Sequence, residues 1–267
     1  MRQSRSQFTW VLIAMSVVGL VLLTLPTVAM VWRALDARQV LDDPRSRMLL
    51  REALTLSLWT SLVSLVIVLL LGTPVAWVLA RVSFPGRTLV DALVDLPIIL
   101  PPAVGGIALL SAFGRRGLLG STLEGFGITI GFTTTAVIIA QIFVSAPFYI
   151  RTVRAGFSRI DTTIEEAAAD LGAAPWRVFW TVTLPISRAS LVAGAVLAWA
   201  RALGEFGATI MFAGNRVGTT QTMPLAIYER FGAGDLDTAL VMSGILLAAS
   251  VGFLVVVRIL GEQTTAR

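Results

Sequence analysis

Apolar residues in this chain gather into long runs, and polar residues are confined mostly to short stretches between them. A helix needs about 20 apolar residues to cross the hydrocarbon core of a bilayer, so each such run reads as a membrane span. Six are predicted, at roughly 8–32, 52–80, 89–113, 132–154, 186–213 and 238–260. The first follows Arg2 and Arg5, as a signal peptide would. Its apolar run is longer than a signal core and no convincing cleavage site follows, so it is taken as a retained span. The expected fold class is an all-α membrane protein with about six transmembrane helices in one domain over 1–267, its core at 52–260.

One polar island interrupts this pattern at about 155–185. Thr162-x-x-Glu165 and Thr163-x-x-Glu166 both fit a capping box, and Asp161 adds negative charge to the first turn, so a helix should start near 162–163. Gly172 suits the residue just past that helix, and Pro175 suits the first turn of the next. Ala167, Ala168 and Ala169 leave a surface with little side-chain bulk, open to close approach by another chain. Trp176, Phe179 and Trp180 recur at helical spacing and are expected to form one anchoring face. Without a partner, the same island would be an amphipathic helix pair resting on the membrane surface.

Two spans carry groups that a lipid-facing helix avoids. The third contains Asp91, Asp95, Pro97, Pro101, Pro102, Gly105 and Gly106, which predict either a kinked packing helix or a segment lining a pathway. Gly72-Thr73-Pro74 is expected to break the second span similarly. The fifth contains Arg201 and Glu205, four apart on one helical face, within Gly204-Glu205-Phe206-Gly207-Ala208-Thr209. Ionisable groups inside a membrane pair with one another or face a watery path. The candidate path or gate is therefore Pro101, Pro102, Arg201, Gly204, Glu205, Phe206, Gly207 and Thr209. A bare carboxylate would repel an anion, so Glu205 is expected as a paired or gating group rather than a ligand.

Composition narrows the chemistry. The chain is 56% hydrophobic and 14% charged, with mean hydropathy +0.83. All 21 basic residues are arginine, and lysine, histidine and cysteine are absent. Without lysine there is no Walker A loop, and without histidine or cysteine the usual zinc sites, serine triads and thiolate nucleophiles are gone. The expectation is a non-enzyme. The charge of +5 is spread over short loops beside the spans and is assigned to lipid headgroups rather than nucleic acid.

The spacing Glu166-Ala167-Ala168, three residues, Gly172, nine residues, Val182-x-Leu184-Pro185 resembles the EAA loop of ABC-importer permeases, with Val182 where the family usually has isoleucine. The resemblance implies a type I importer permease whose coupling loop contacts an ATPase through Glu165, Glu166, Ala167, Ala168, Asp170, Gly172, Pro175, Trp176, Leu184 and Pro185. It places that loop in the cytoplasm, with both termini. The positive-inside rule leans the same way, chiefly through Arg151, Arg154, Arg159, Arg177 and Arg188. The segments Ala200–Asn215, Thr220–Tyr228, Gly234–Ala239, Asp95–Gly106 and Phe113–Gly120 further resemble the molybdate permeases of molybdenum importers. Sulfate and thiosulfate permeases, close relatives, typically carry tyrosine at the position of Phe206 and continue differently over Thr220–Tyr228. The resemblance implies transport of molybdate, or of tungstate, which is nearly identical in size and charge, by a homodimer in the cell membrane, with two ATPase subunits that use ATP and magnesium and a periplasmic or lipid-anchored oxyanion-binding protein. No cofactor is implied for the chain itself. A secondary transporter would also have broken helices, but it would normally show a repeat, and none is convincing here.

Overall fold

In the computed structural model of the chain, residues 2–263 are described, except for the side chains of 2–8, 258 and 260–263. Arg2, Arg5, Arg258 and Arg267, counted among the basic residues above, lie outside that description. Among the described residues the structure is helical throughout, without a strand. Helix α1 (Arg2–Asp36) passes through a 3-10 turn, Ala37–Asp42, into α2 (Pro44–Arg81). Asp43 starts α2 by accepting the backbone N–H groups of Arg45 and Ser46, and Pro44 occupies the first turn, where no N–H is needed.

The expected break at Gly72-Thr73-Pro74 does not occur, and α2 continues to Arg81. Proline removes one backbone donor, the one that would have met Leu70 O, and beside it the Thr73 hydroxyl donates to Leu69 O at 2.6 Å. Tyr149 splints the same turn from the neighbouring helix, its hydroxyl 2.7 Å from Thr73 Oγ1.

The third span is not one helix. Its halves, α3 (Arg87–Ile99) and α4 (Pro102–Phe113), are bent by 117°. Residues before proline are driven out of the helical region, and here Leu100 and Pro101, each followed by proline, both adopt extended ψ, 133° and 135°. Next come α5 (Gly120–Gly125) and α6 (Thr134–Ser158), followed by α7 (Thr162–Asp170) and α8 (Pro175–Val178). A π-helical turn at Phe179–Thr183 and the short α9 (Leu184–Ile186) lead into α10 (Arg188–Leu203). The fifth span also stops earlier than expected. It ends at Leu203, and 207–212 belong to a separate helix, α11 (Gly207–Phe212). Helices α12 (Met223–Gly232) and α13 (Leu236–Gln263) complete the described chain.

Four of these helices are long and apolar enough to cross a bilayer, and counting α3–α4 and the bent pair Pro175–Ile186 and Arg188–Leu203 as one span each gives six. Helix α6 lies at the centre. Its Tyr149, Val153 and Phe157 pack with Val68, Ala76 and Leu79 of α2 and with Ala198, Trp199 and Leu203 of α10. A second cluster joins Leu109 of α4, Ala136, Val137 and Ala140 of α6, and Ala208 and Phe212 of α11. Helix α1 presents Leu22 and Leu23 outward at 68% and 78% exposure, a surface suited to lipid.

Candidate functional site

The polar island folds from local signals. Asp161, rather than Thr162 or Thr163, is the N-cap of α7: its Oδ1 accepts the Thr163 N–H at 3.0 Å. That bond, with a further one to the Thr163 side chain, holds the Asp161 carboxyl below the usual carboxylate range. At the other end Gly172 has φ +89°, a left-handed conformation that only glycine adopts without strain. Gly172 N–H donates to Ala169 O at 2.8 Å and Ala173 N–H to Ala168 O at 3.1 Å, the two bonds of a Schellman motif. Pro175 then opens α8 at its first turn.

This geometry leaves small and aromatic side chains facing outward. Glu166, Ala167, Ala169 and Asp170 are exposed on α7 and Ala168 is half-buried. Trp176 and Trp180 are also exposed, their rings edge to face at 5.2 Å. The expectation that Phe179 shares their face holds in part: its ring meets Trp180 edge to face at 5.7 Å, but it also reaches inward to Trp77 and Phe157, with ring centroids 6.1 and 6.5 Å apart. Leu184 packs against the core and Pro185 remains exposed. Glu165 is the exception on α7, since it points back into the protein. Arg81 Nε lies 3.1 Å from its Oε2, and Thr183 Oγ1 donates to its Oε1 at 2.7 Å. Arg81 also reaches Ile160 O. A single carboxylate thus ties α7, the end of α2 and the π-helical turn together.

Two more ion pairs brace this end. Arg154 pairs with Asp91, and Arg151 Nε lies 3.6 Å from Asp95 Oδ1, joining α6 to α3. None of these three links was anticipated, because their partners are far apart in sequence; Arg81 and Glu165 are separated by 84 residues.

The candidate path residues converge where the two broken spans meet. Pro101 caps α4 and Pro102 opens it, while Gly207 opens α11 beside them. A Cβ on Gly207 would sit 2.6 Å from the Pro102 side chain, and one on Gly106 only 2.6 Å from Ala208 O, so both glycines are needed for α4 and α11 to approach this closely. Gly204 ends α10, and Glu205 sits in the gap at 1% exposure. Its Oε2 lies 2.7 Å from Arg201 Nη2, the pairing expected from their spacing, and its Oε1 accepts the Ala208 N–H at 2.7 Å. Glu205 therefore closes one helix and starts the next. Phe206 packs against Tyr228, ring centroids 4.9 Å apart. Thr209 is fully buried, and its hydroxyl has no partner among the described residues. Among the described residues no cluster of histidine, cysteine or carboxylate side chains could hold a metal.

The family profile described as binding-protein-dependent transport system inner membrane component matches residues 69–262. The molybdenum transport system permease protein ModB of Mycobacterium tuberculosis is 44% identical over 241 residues, covering 88% of this chain and 89% of that protein. The sulfate transport system permease protein CysT of Escherichia coli is 43% identical over 179 residues, covering 67% and 65% respectively. A bacterial ABC transporter that imports the acidic polysaccharide alginate shares the fold, with a TM-score of 0.76 at 16% identity, covering 98% of this chain and 99% of that one. A profile match over most of the chain, a mostly helical multi-span architecture and a relative matching nearly nine-tenths of both sequences lead to one assignment: the chain belongs to the binding-protein-dependent transport system inner membrane component family, as a multi-pass transport permease of the inner membrane and not an enzyme.

Proposed function

We propose that this chain is the membrane-spanning subunit of an ATP-driven molybdate importer. The observation that carries this reading is the 44% identity to a molybdenum permease across 241 residues, which includes both the coupling island and the broken spans. Two copies form a homodimer, and each offers one coupling loop to one of two identical ATPase subunits on the cytoplasmic side. An oxyanion-binding protein delivers the anion from the opposite side. ATP and magnesium act in the partner subunits.

The loop's chemistry suits such a role. Glu166, the alanine surface, Gly172, Pro175 and Trp176 face outward for the ATPase, while Glu165 holds the loop to α2 through Arg81. Movement of α7 would reach α2 and the π-helical turn directly, and the α3–α6 ion pairs would carry it toward the junction of the broken spans. There Pro101, Pro102, Gly204 and Gly207 supply bends, Arg201 and Glu205 a neutralised charge pair, Phe206 an apolar plug and Thr209 a spare hydroxyl. ATP drives the cycle only in so far as the ATPase binds the inward- and outward-facing states with different affinity.

Sulfate is the second reading, favoured by the 43% identity to a sulfate permease. Reconstitution of the chain with its ATPase and binding protein in proteoliposomes tests both. ATP-dependent accumulation of labelled molybdate that excess sulfate does not suppress is the expected result, and accumulation of sulfate alone would replace molybdate with the second reading. No ATP-dependent uptake of either anion would overturn both.

A further inference from the structure

At the end of α6 opposite the coupling loop, an open cavity of about 840 Å³ is lined by three arginines and no carboxylate. Helix α6 has 25 residues, about 37 Å of rise, so this cavity and the coupling loop lie a membrane thickness apart. Arg115 and Arg116 come from the loop after α4, and Arg216 from the loop between α11 and α12. All three are exposed, and among the described residues none makes an ion pair or a side-chain hydrogen bond.

Both loops are held rigidly. The first folds back on α4, with Leu118 N–H on Ser111 O and Leu119 N–H on Ala112 O, each 2.9 Å. Its Gly114, Gly117 and Gly120 lie so close to neighbouring carbonyls that a Cβ at any of them would collide. The second is closed by Arg216 O accepting the N–H groups of Thr219, Thr220 and Gln221 at 3.1, 2.9 and 3.0 Å, while Arg216 N–H donates to Thr220 Oγ1 at 2.9 Å. Between them stands Phe132, the only non-glycine residue at positive φ among the described residues (+62°). Backbone held in that conformation collects at functional sites. Thr129 adds a hydroxyl that makes no hydrogen bond among the described residues.

We infer that this cavity is a receiving site for a tetrahedral oxyanion dianion, held by Arg115, Arg116 and Arg216 before it passes between the broken spans. The inference rests on the proposed transport role. Planar guanidinium forks match the edges of an oxyanion, and three unneutralised positive charges in one concavity concentrate anions near its mouth. Exposure keeps the site weak, which suits a site that must release its anion onward. The cavity also stands on α4 and α11, whose other ends carry Pro102 and Gly207. Beyond the cavity the Glu205 carboxylate is already paired with Arg201, so it does not oppose an anion held by the three arginines.

The test uses the complete permease–ATPase complex in nanodiscs without the binding protein. Arginines are modified with phenylglyoxal and counted by peptide mass spectrometry, with molybdate, sulfate or chloride present at equal ionic strength. Molybdate and sulfate should each slow modification of Arg115, Arg116 and Arg216 several-fold relative to chloride, with Arg45, exposed and outside the coupling loop, as the unprotected reference. Equal rates in all three salts would overturn the site, as would protection that appears only when the binding protein is added, which would make the cavity a protein-docking surface. In proteoliposomes, Arg115→Gln with Arg116→Gln should lower uptake several-fold at saturating loaded binding protein while ATPase stimulation stays normal; lost stimulation would again point to docking. If the wild-type complex transports no oxyanion, the transport role fails, and the protection experiment still reads the site by itself.

Discussion

The two ends of this protein use the same residue type in opposite ways. Near the coupling loop, Arg81, Arg151 and Arg154 each face a carboxylate, and each pair joins two different helical elements. At the far end, Arg115, Arg116 and Arg216 share a cavity and face no carboxylate. Removing one member of the largely buried Arg81–Glu165 pair leaves an uncompensated charge, while the partly exposed pairs between α3 and α6 contribute less energy and mainly fix geometry. The second group costs the fold little and leaves its donors free for an anion. Because every basic residue is arginine, chemistry alone does not separate the groups; their partners do.

The largest expected effect is at Arg201, a paired arginine between the two ends. Arg201→Ala leaves the Glu205 carboxylate buried without its cation and should cost about 3 kcal/mol, read as lower yield and melting temperature in detergent. Glu205→Ala should also reduce yield, and the double alanine variant should recover part of it; strictly additive losses would argue against pairing. Uptake should not return with yield, since a candidate path residue is still missing.

Next is Arg81→Ala, which strips Glu165 of its partner across two elements. A charge-assisted contact of this kind is worth about 2 kcal/mol. The reversed pair Arg81→Glu with Glu165→Arg should recover part of the loss in melting temperature, and failure to do so would show that the contact with Thr183 dominates. Gly172→Leu should cost about 1–2 kcal/mol, because leucine at φ +89° is strained. Membrane insertion should be normal while transport falls relative to ATP hydrolysis, and wild-type transport with normal ATPase stimulation would remove the loop from coupling.

The smallest effect is at Asp161. Its carboxyl is held below the usual range by the Thr163 N–H, so its contribution to the start of α7 is present at neutral pH and above an ordinary carboxylate pKa. It is lost as pH falls through the lowered value. The helicity of a peptide spanning residues 158–174, read by circular dichroism, should therefore be higher for wild type than for Asp161→Ala at neutral pH and converge with it in strong acid; a constant difference would show that the cap is not what titrates.

The coupling loop was legible in sequence because caps and turns are local. Gly172 and Pro175 carry their conformations with them, and only the choice between Asp161 and the following threonines depended on the folded geometry. The spans were legible by length, but hydropathy averages over short breaks. Glu205 therefore read as a charge inside a continuous fifth span, when it is the joint between α10 and α11. Pro74 gave the opposite error, since a local rule predicted a break and α2 runs straight through it, with Thr73 and the distant Tyr149 bonded at the same turn. Pairings such as Arg81 with Glu165 leave no trace at helical spacing, and neither does the meeting of Arg115 and Arg116 with Arg216. Only the packing of α4 against α11 brings those loops together.

One reconstitution tests the contrast most directly: ATP hydrolysed per anion transported, measured against anion uptake for Arg81→Ala and for the Arg115→Gln with Arg116→Gln variant in the same proteoliposomes. The predicted result is a raised ratio for Arg81→Ala, as hydrolysis slips against transport. For the cavity variant, uptake should fall most steeply when the binding protein is only partly loaded, with receptor-stimulated hydrolysis unchanged. If both variants gave the same phenotype, paired and unpaired arginines would not be divided between coupling and anion handling, and the account would be wrong.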